Sequence, residues 1–406
     1  MADQTSEEIA ERQARVDKLQ AAADEAAGHV RNLYIAFLSF GLYLAITVGG
    51  TTDEQLLRES PVRLPIVDVG LPLVAFYWIA PFLFVLFHFN LLLQLYLLSV
   101  KLRRLDAELR ALPDEAHRRA TISQFVFSQL LIGEHNRPHS GRSMIRLLLN
   151  VMAWTTFVAL PVAVLLLTQI QFLPYHDALT TWWQRFLVTA DLLLIWLLWV
   201  PAVEAMATLG RVVRVITRSA LAALSAISLL VTLLIATIPG EFLSGPINQL
   251  IGHNDYGALN RNLFLQEAEL VLERPPPGLS EQIGDERALD EYTRGLNLRG
   301  RDLRYAFLRR VDLRKADFRA GASLRGAYLS GANLQGADLR GADLLDAFLA
   351  GADLHVPASA GPISGVQTFG VQSSWAPTSA RPTLRARGSS WLTFKVLTSG
   401  RPISRA

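Results

Sequence analysis

The chain has 406 residues, of which 51% are hydrophobic and 18% charged, and its formal net charge is +3. That length predicts more than one domain, and so little charge is unlike a soluble protein. It has no cysteine, which excludes disulfides, thiolate metal sites and cysteine nucleophiles.

Residues 1–32 are polar and mixed in charge. A signal peptide would show a short basic start and then an apolar run, so none is read here. Ile9, Val16, Ala23 and Val30 fall seven apart, with Leu19 and Ala26 three further on. This short heptad-like stripe predicts a cytoplasmic amphipathic helix over 1–32. It would lead into the membrane as a solvated helix or serve as a small oligomerisation helix.

An all-α membrane domain is predicted over 33–240, with about five transmembrane helices at 33–50, 73–100, 147–172, 187–204 and 220–238. Each is close to the ~20 mostly apolar residues that a span requires. Trp182, Trp183, Trp196 and Trp199 lie in or beside these segments, where aromatic belts form. Arginine and lysine alternate between the connecting segments. The N-terminus and the second and fourth loops hold sixteen, and the other connections hold four. The positive-inside rule then predicts a multi-pass protein of the cell membrane with a cytoplasmic N-terminus. Five spans put the C-terminal half outside.

Ionisable residues inside a span are costly and carry a functional hypothesis by default. His88, Asn90 and Gln94 lie in the second segment, Asp191 opens the fourth and Glu204 ends it, and His176 and Asp177 follow the third. His88 and Asp191 are the two possible intramembrane polar site residues. They would serve a proton or ion path, or interhelical hydrogen bonds. His135 and His139 are four apart, but Pro138 argues against a shared helix and no third ligand is near. No zinc-protease helix, phosphate-binding glycine loop or nucleophile elbow occurs. No catalytic residue, metal or cofactor is expected, and the protein is read as no enzyme.

Residues 241–290 read as a linker. ERPPPG at 273–278 cannot continue a helix, since proline fixes φ and removes donors. A short helix is predicted just before it, around Leu263 to Leu272.

From Leu296 a period of five takes over. The centres are Leu298, Leu303, Leu308, Leu313, Phe318, Leu324, Leu329, Leu334, Leu339, Leu344, Leu349 and Leu354, with one step of six from Phe318 to Leu324. Alanine stands two before most centres. On a helix, five steps of 100° would spread the leucines around the axis. On a flat strand, an odd step would alternate their faces. A chain that turns a corner every five residues points each leucine inward, with the small residue beside it. The other three positions face out. Glycine two after a centre, as at Gly300 and Gly326, suits a corner that needs positive φ.

The runs GANLQ, GADLR and GADLL resemble the pentapeptide-repeat family. The resemblance covers residues 296–354 and implies, for a domain at 291–354, a right-handed quadrilateral β-helix, a β-solenoid with four repeats to a coil. Arg301 in an alanine position, Ser323 in an acid or amide position and the six-residue step depart from the pattern. The step places a bulge or distorted corner near Gly321. The layout of spans followed by repeats is also similar to that of membrane-bound pentapeptide-repeat proteins.

Some soluble relatives mimic DNA, which needs an acidic face. Residues 291–354 hold eleven Arg or Lys against eight Asp or Glu, the wrong sign, so no nucleic-acid role is expected. The partners read are the lipid bilayer, an unidentified protein and, as an option, a second copy of the chain. The function expected is a non-enzymatic membrane-anchored module for protein interaction or scaffolding. The alternative is a channel or transporter-like membrane domain with an accessory repeat module. Residues 355–406 carry no acid and lose the register. They read as a disordered basic tail, with a shifted reading frame as one explanation.

Overall fold

A computed structural model of the chain describes residues 2–63, 70–110, 148, 151–206, 211–237, 262–272 and 294–354. The chain divides into two compact units. One holds Met1–Gly50, Ala75–Gln171 and Trp182–Ile235, and the other holds Thr51–Val74, Phe172–Thr181 and Ala236–Ala406. His135 and His139, the ERPPPG stretch and the basic tail lie outside the described residues.

Five helices are long and apolar enough to cross a membrane: Glu11–Gly49, Leu73–Arg110, Val151–Tyr175, Ala178–Val203 and Arg214–Leu234. The first belongs to a continuous helix, Ala2–Gly49. The separate helix expected over 1–32 therefore merges with the first span, because no proline precedes Pro61 to break it. Val16, Ala23, Val30, Phe37 and Leu44 are all buried, so the seven-residue stripe continues into the span.

Its partner lies in the same chain. On the second span helix His88, Leu91, Leu95, Leu98, Leu102, Leu105 and Leu109 are buried at alternating steps of three and four, a coiled-coil seam. Phe37 stacks on Phe84 at 5.0 Å and on His88 at 5.2 Å. Further along, Lys101 Nζ donates to the carbonyl of Ala22 at 3.4 Å. The two helices run antiparallel. Gly41 permits the close approach, since a Cβ there would lie 3.2 Å from the Phe84 ring.

The fourth span starts earlier than expected, at Ala178 rather than 187. Asp177 is the reason. Its carboxylate accepts from the backbone N–H groups of Leu179 and Thr180 at 3.2 Å each, the hydrogen bonds of an N-cap. The connection expected between the third and fourth spans shrinks to a tight turn, with a 3₁₀ segment at Leu173–Tyr175 and His176 at φ 60°.

The repeats stack. Parallel bridges join Asn297 to Asp317, Asp302 to Ser323, Phe307 to Tyr328 and Asp312 to Asn333, and further bridges continue each of these four columns. Partners are twenty or twenty-one residues apart, which is four repeats. From Leu298 to Leu334 each centre's N–H donates to the next coil of its column, as Leu298 does to Asp317 O at 2.8 Å and Leu324 to Asp343 O at 2.7 Å. Ten of the twelve centres run from Leu298 to Leu344, and all of these except Leu339 are buried. Leu339, Leu349 and Leu354 are half-buried.

Among the described residues, nine of the corners are β-turns closed by a hydrogen bond. The carbonyl of a centre accepts from the N–H three residues on, as in Leu303 to Ala306 and Leu324 to Ala327. The third residue of the turn has positive φ, as a type II turn requires. Glycine fills it at six corners, while Tyr305, Arg310, Lys315 and Asp346 adopt φ of 54–61° without one. At the six-residue step Ala320 and Gly321 have φ of 60° and 79° in succession, so the extra residue is absorbed in the corner where the distortion was expected.

Gly326 gives a test of this geometry. At φ 67° an added Cβ would also lie 2.7 Å from two ring carbons of Tyr305. Gly326→Ala should cost about 1–2 kcal/mol from backbone handedness alone, read as a lowered thermal midpoint. Adding Tyr305→Ala should recover only the part due to the ring contact.

The short helix expected around Leu263 to Leu272 is not formed. Phe264–Gln266 is a strand, paired in parallel with Phe307–Arg309, and Glu269 bridges to Asp312. The sequence LFLQEAELV explains this. Leu265 and Leu270 are two further centres five apart, with Leu263 and Ala268 two before them. Leu263, Leu265 and Leu270 are buried, and Glu267 takes the corner at φ 55°. Part of the linker expected over 241–290 is therefore repeat, separated from the rest by the proline-rich stretch.

Candidate functional site

Two arrangements stand out, one in each unit. In the first, His88 and Asp191 meet. His88 Nδ1 lies 2.6 Å from Asp191 Oδ1, and both side chains are 0% exposed. The other ring nitrogen, Nε2, lies 3.1 Å from the carbonyl oxygen of Phe157. That carbonyl lacks its α-helical donor for a local reason. In an α-helix it would accept from the N–H of residue 161, which is proline. The helix there is π-wound over Thr155–Ala159, and His88 supplies a donor in place of the proline. The rest of the setting is aromatic. Phe37 stacks on the imidazole, and Phe157 stacks on Trp199 at 5.1 Å. Asp191 Oδ2 is buried and has no hydrogen-bond partner among the described residues.

A second proline repeats the device. Pro81 removes the donor for the Tyr77 carbonyl, and Gln184 Nε2 lies 3.4 Å from that oxygen. Trp183 Nε1 donates to Trp78 O at 3.1 Å, and Arg185 Nε donates to Thr232 O at 3.2 Å inside another π-wound segment, Val231–Ile235. The other polar residues of the second span do not join the pair. Asn90 is exposed and Gln94 is half-buried.

The second arrangement holds the repeats. Arg301 occupies an alanine position, and its side chain turns outward instead. Its guanidinium donates to Glu59 Oε1 at 2.6 Å and lies 3.7 Å above the ring of Tyr175. Tyr175 Oη donates to the same Glu59 oxygen at 2.7 Å. The Arg301 side chain is only 10% exposed. Beside it the His176 side chain is buried and its Nδ1 donates to Asp302 O at 3.0 Å. Two further bonds pin the 51–59 segment. Arg58 Nη2 donates to Glu269 O at 2.6 Å, and Asp53 Oδ2 accepts from Phe264 N–H at 2.7 Å. A shallow polar groove borders this clamp, lined by Gly300, Arg304, Gly321, Ser323, Arg325 and Asp343.

Burial pushes the Asp53 carboxyl above its ordinary value, and the Phe264 hydrogen bond offsets this only in part. A folded value above the unfolded one means that the charge costs stability at neutral pH, and that the cost fades as pH falls through the folded value. Asp53→Asn keeps an oxygen for Phe264 and removes the charge. It should melt above the wild type at pH 7, and the margin should close toward about pH 4.

On the repeat surface the acidic positions are local caps. Asp302, Asp312, Asp317 and Asp338 each accept from the backbone N–H two residues on and from the side chain of the arginine there, in the manner of an Asx-turn. Arg340 holds the Asp338 carboxyl below its usual range. The excess of arginine is therefore spread among ion pairs rather than gathered in one basic field. The aromatic column was not expected. Phe264, Phe307, Tyr328 and Phe348 stand in one line, with centroids 4.7, 5.8 and 4.7 Å apart. The signal was an aromatic residue before every fourth centre.

Residues 294–319 and 320–355 match the family model for pentapeptide repeats, with eight copies. The two matched stretches meet at the six-residue step. No curated protein and no solved structure matches the chain. The chain thus combines five helices long and apolar enough to cross a membrane with a region of pentapeptide repeats at 294–355.

Proposed function

We propose that the protein is a non-enzymatic, multi-pass membrane protein that presents its repeats outside the cell for protein interaction or scaffolding. In this reading the four bridged columns are the sides of a right-handed quadrilateral β-helix. The clamp at Arg301 carries the proposal. It ties the stack to the segments at 51–59 and 172–177, which connect spans one to two and three to four. Those connections are the arginine-poor ones in the sequence, which supports an external stack and a cytoplasmic N-terminus. A stack held by bonds from both connections is a rigid platform, as an interaction surface requires.

The test is crosslinking in intact membranes. Arg309 and Arg325 are exposed on the stack. A specific crosslinked partner should be recovered with the wild type and lost with Arg309→Glu and Arg325→Glu together. Identical crosslinks from wild type, this double variant and a chain lacking residues 291–354 would overturn the proposal.

A second reading, a channel or transporter-like membrane domain with an accessory repeat module, draws support from the buried His88–Asp191 pair. Unchanged flux in liposomes after both are replaced by alanine would remove it.

A further inference from the structure

The transporter reading leaves open what the membrane domain would carry, and the buried pair bears on that. Nε2 of His88 faces a carbonyl oxygen, which only accepts. Nε2 therefore carries a hydrogen. Nδ1 faces Asp191 Oδ1 at 2.6 Å, and two lone pairs at that distance would repel. One proton must lie between them. The pair is then neutral as a whole, whether that proton is drawn on the ring or on the carboxyl. Asp191 Oδ2 remains as a buried acceptor with no hydrogen-bond partner among the described residues.

The groups around the pair offer no competing charge. Phe37 stacks on the imidazole from the first span and the Phe157 carbonyl meets it from the third, with Trp199 of the fourth stacked on the Phe157 ring. The Tyr34 ring lies 5.2 Å from that of Phe157. Among the described residues no other charged side chain is hydrogen-bonded or ion-paired to His88 or Asp191. Two π-wound segments flank the pair. One π-wound segment supplies the Phe157 carbonyl, and another, Ile195–Trp199, begins one turn after Asp191. Such segments are frequent at functional sites in helices.

We propose that His88 and Asp191 form an intramembrane proton-binding site. The ligand is the proton itself. Uptake places a second exchangeable proton on Asp191 Oδ2 and raises the pair's charge from zero to +1; release of that proton returns it to zero. The charged form needs water or an anion, so exchange accompanies a movement of the π-wound helices that admits one.

The site rests on the second reading above only for its use in transport, and the test separates the two. Infrared spectra of the full-length protein in liposomes are compared across about pH 3 to pH 9, which brackets ordinary carboxyl and imidazole values. A carboxylic-acid band should grow and shrink with pH, shift in heavy water and vanish in Asp191→Asn. In Asp191→Glu it should persist at a displaced frequency, which covers the case where the amide variant fails to fold. His88→Gln should move its midpoint. Wild-type pH-difference spectra that lack a band shifted in Asp191→Glu and lost in Asp191→Asn would overturn the proposal. A band of this kind with no proton flux would keep the site and remove the transporter reading.

Discussion

Replacing His88 by leucine should destabilise the protein by about 3–5 kcal/mol, the cost of breaking a buried pair by removing one partner. The change leaves Asp191 fully buried with neither oxygen bonded to the ring, and it strips the Phe157 carbonyl of the donor that Pro161 cannot provide. Removing both partners should be far milder. The double variant His88→Leu, Asp191→Leu takes the charge away with the ring, and apolar replacements of buried pairs are often neutral or stabilising. Thermal unfolding in detergent measures both. A double variant less stable than the single one would contradict this account and place the energy in packing around the ring.

Arg301→Ala should loosen the clamp while leaving the stack whole. Alanine is the residue that the repeat pattern asks for at this place. A loss of stability after restoring the pattern would therefore have to come from outside the repeats. Three contacts go: the hydrogen bond to Glu59, worth about 1.5–3 kcal/mol for a charged group, the stacking on Tyr175, worth about 0.5–2 kcal/mol, and a long hydrogen bond to the Leu56 carbonyl at 3.5 Å. Glu59 is about half exposed, so the ion pair adds little beyond its hydrogen bond. Hydrogen exchange locates the effect. Amides of 53–59 and 264–266 should exchange faster, while those of 316–334 keep their protection. Equal acceleration throughout the stack would mean that Arg301 serves the repeat fold itself.

The repeat interior was legible because its code is local. Leu298 to Leu344 follow one spacing, and the small residues beside them leave a single way to bury the set. Leu263 to Leu270 obey the same spacing but were read as a helix, since the proline-rich stretch breaks the run and two repeats do not make a pattern by themselves. The aromatic column was missed because its period is a whole coil. The span boundaries blurred where a cap decides them: Asp177 starts a helix ten residues before the apolar run begins at Leu187. Asp191 and His88 are 103 residues apart, so their residue types made them candidates while their meeting depended on helix packing. Arg301 was visible as a departure from the pattern. Its partner Glu59 lies 242 residues away, and only the folded chain shows that the departure is the clamp.

The side of the membrane on which the stack stands is the claim that most of the functional reading depends on. The absence of cysteine allows a clean measurement. A single cysteine at Ser330, on the outward part of a repeat, is exposed to a membrane-impermeant maleimide in intact cells. Labelling before lysis is the expected result. Protection that disappears only on lysis would contradict it, placing the stack and the two segments clamped to it in the cytoplasm.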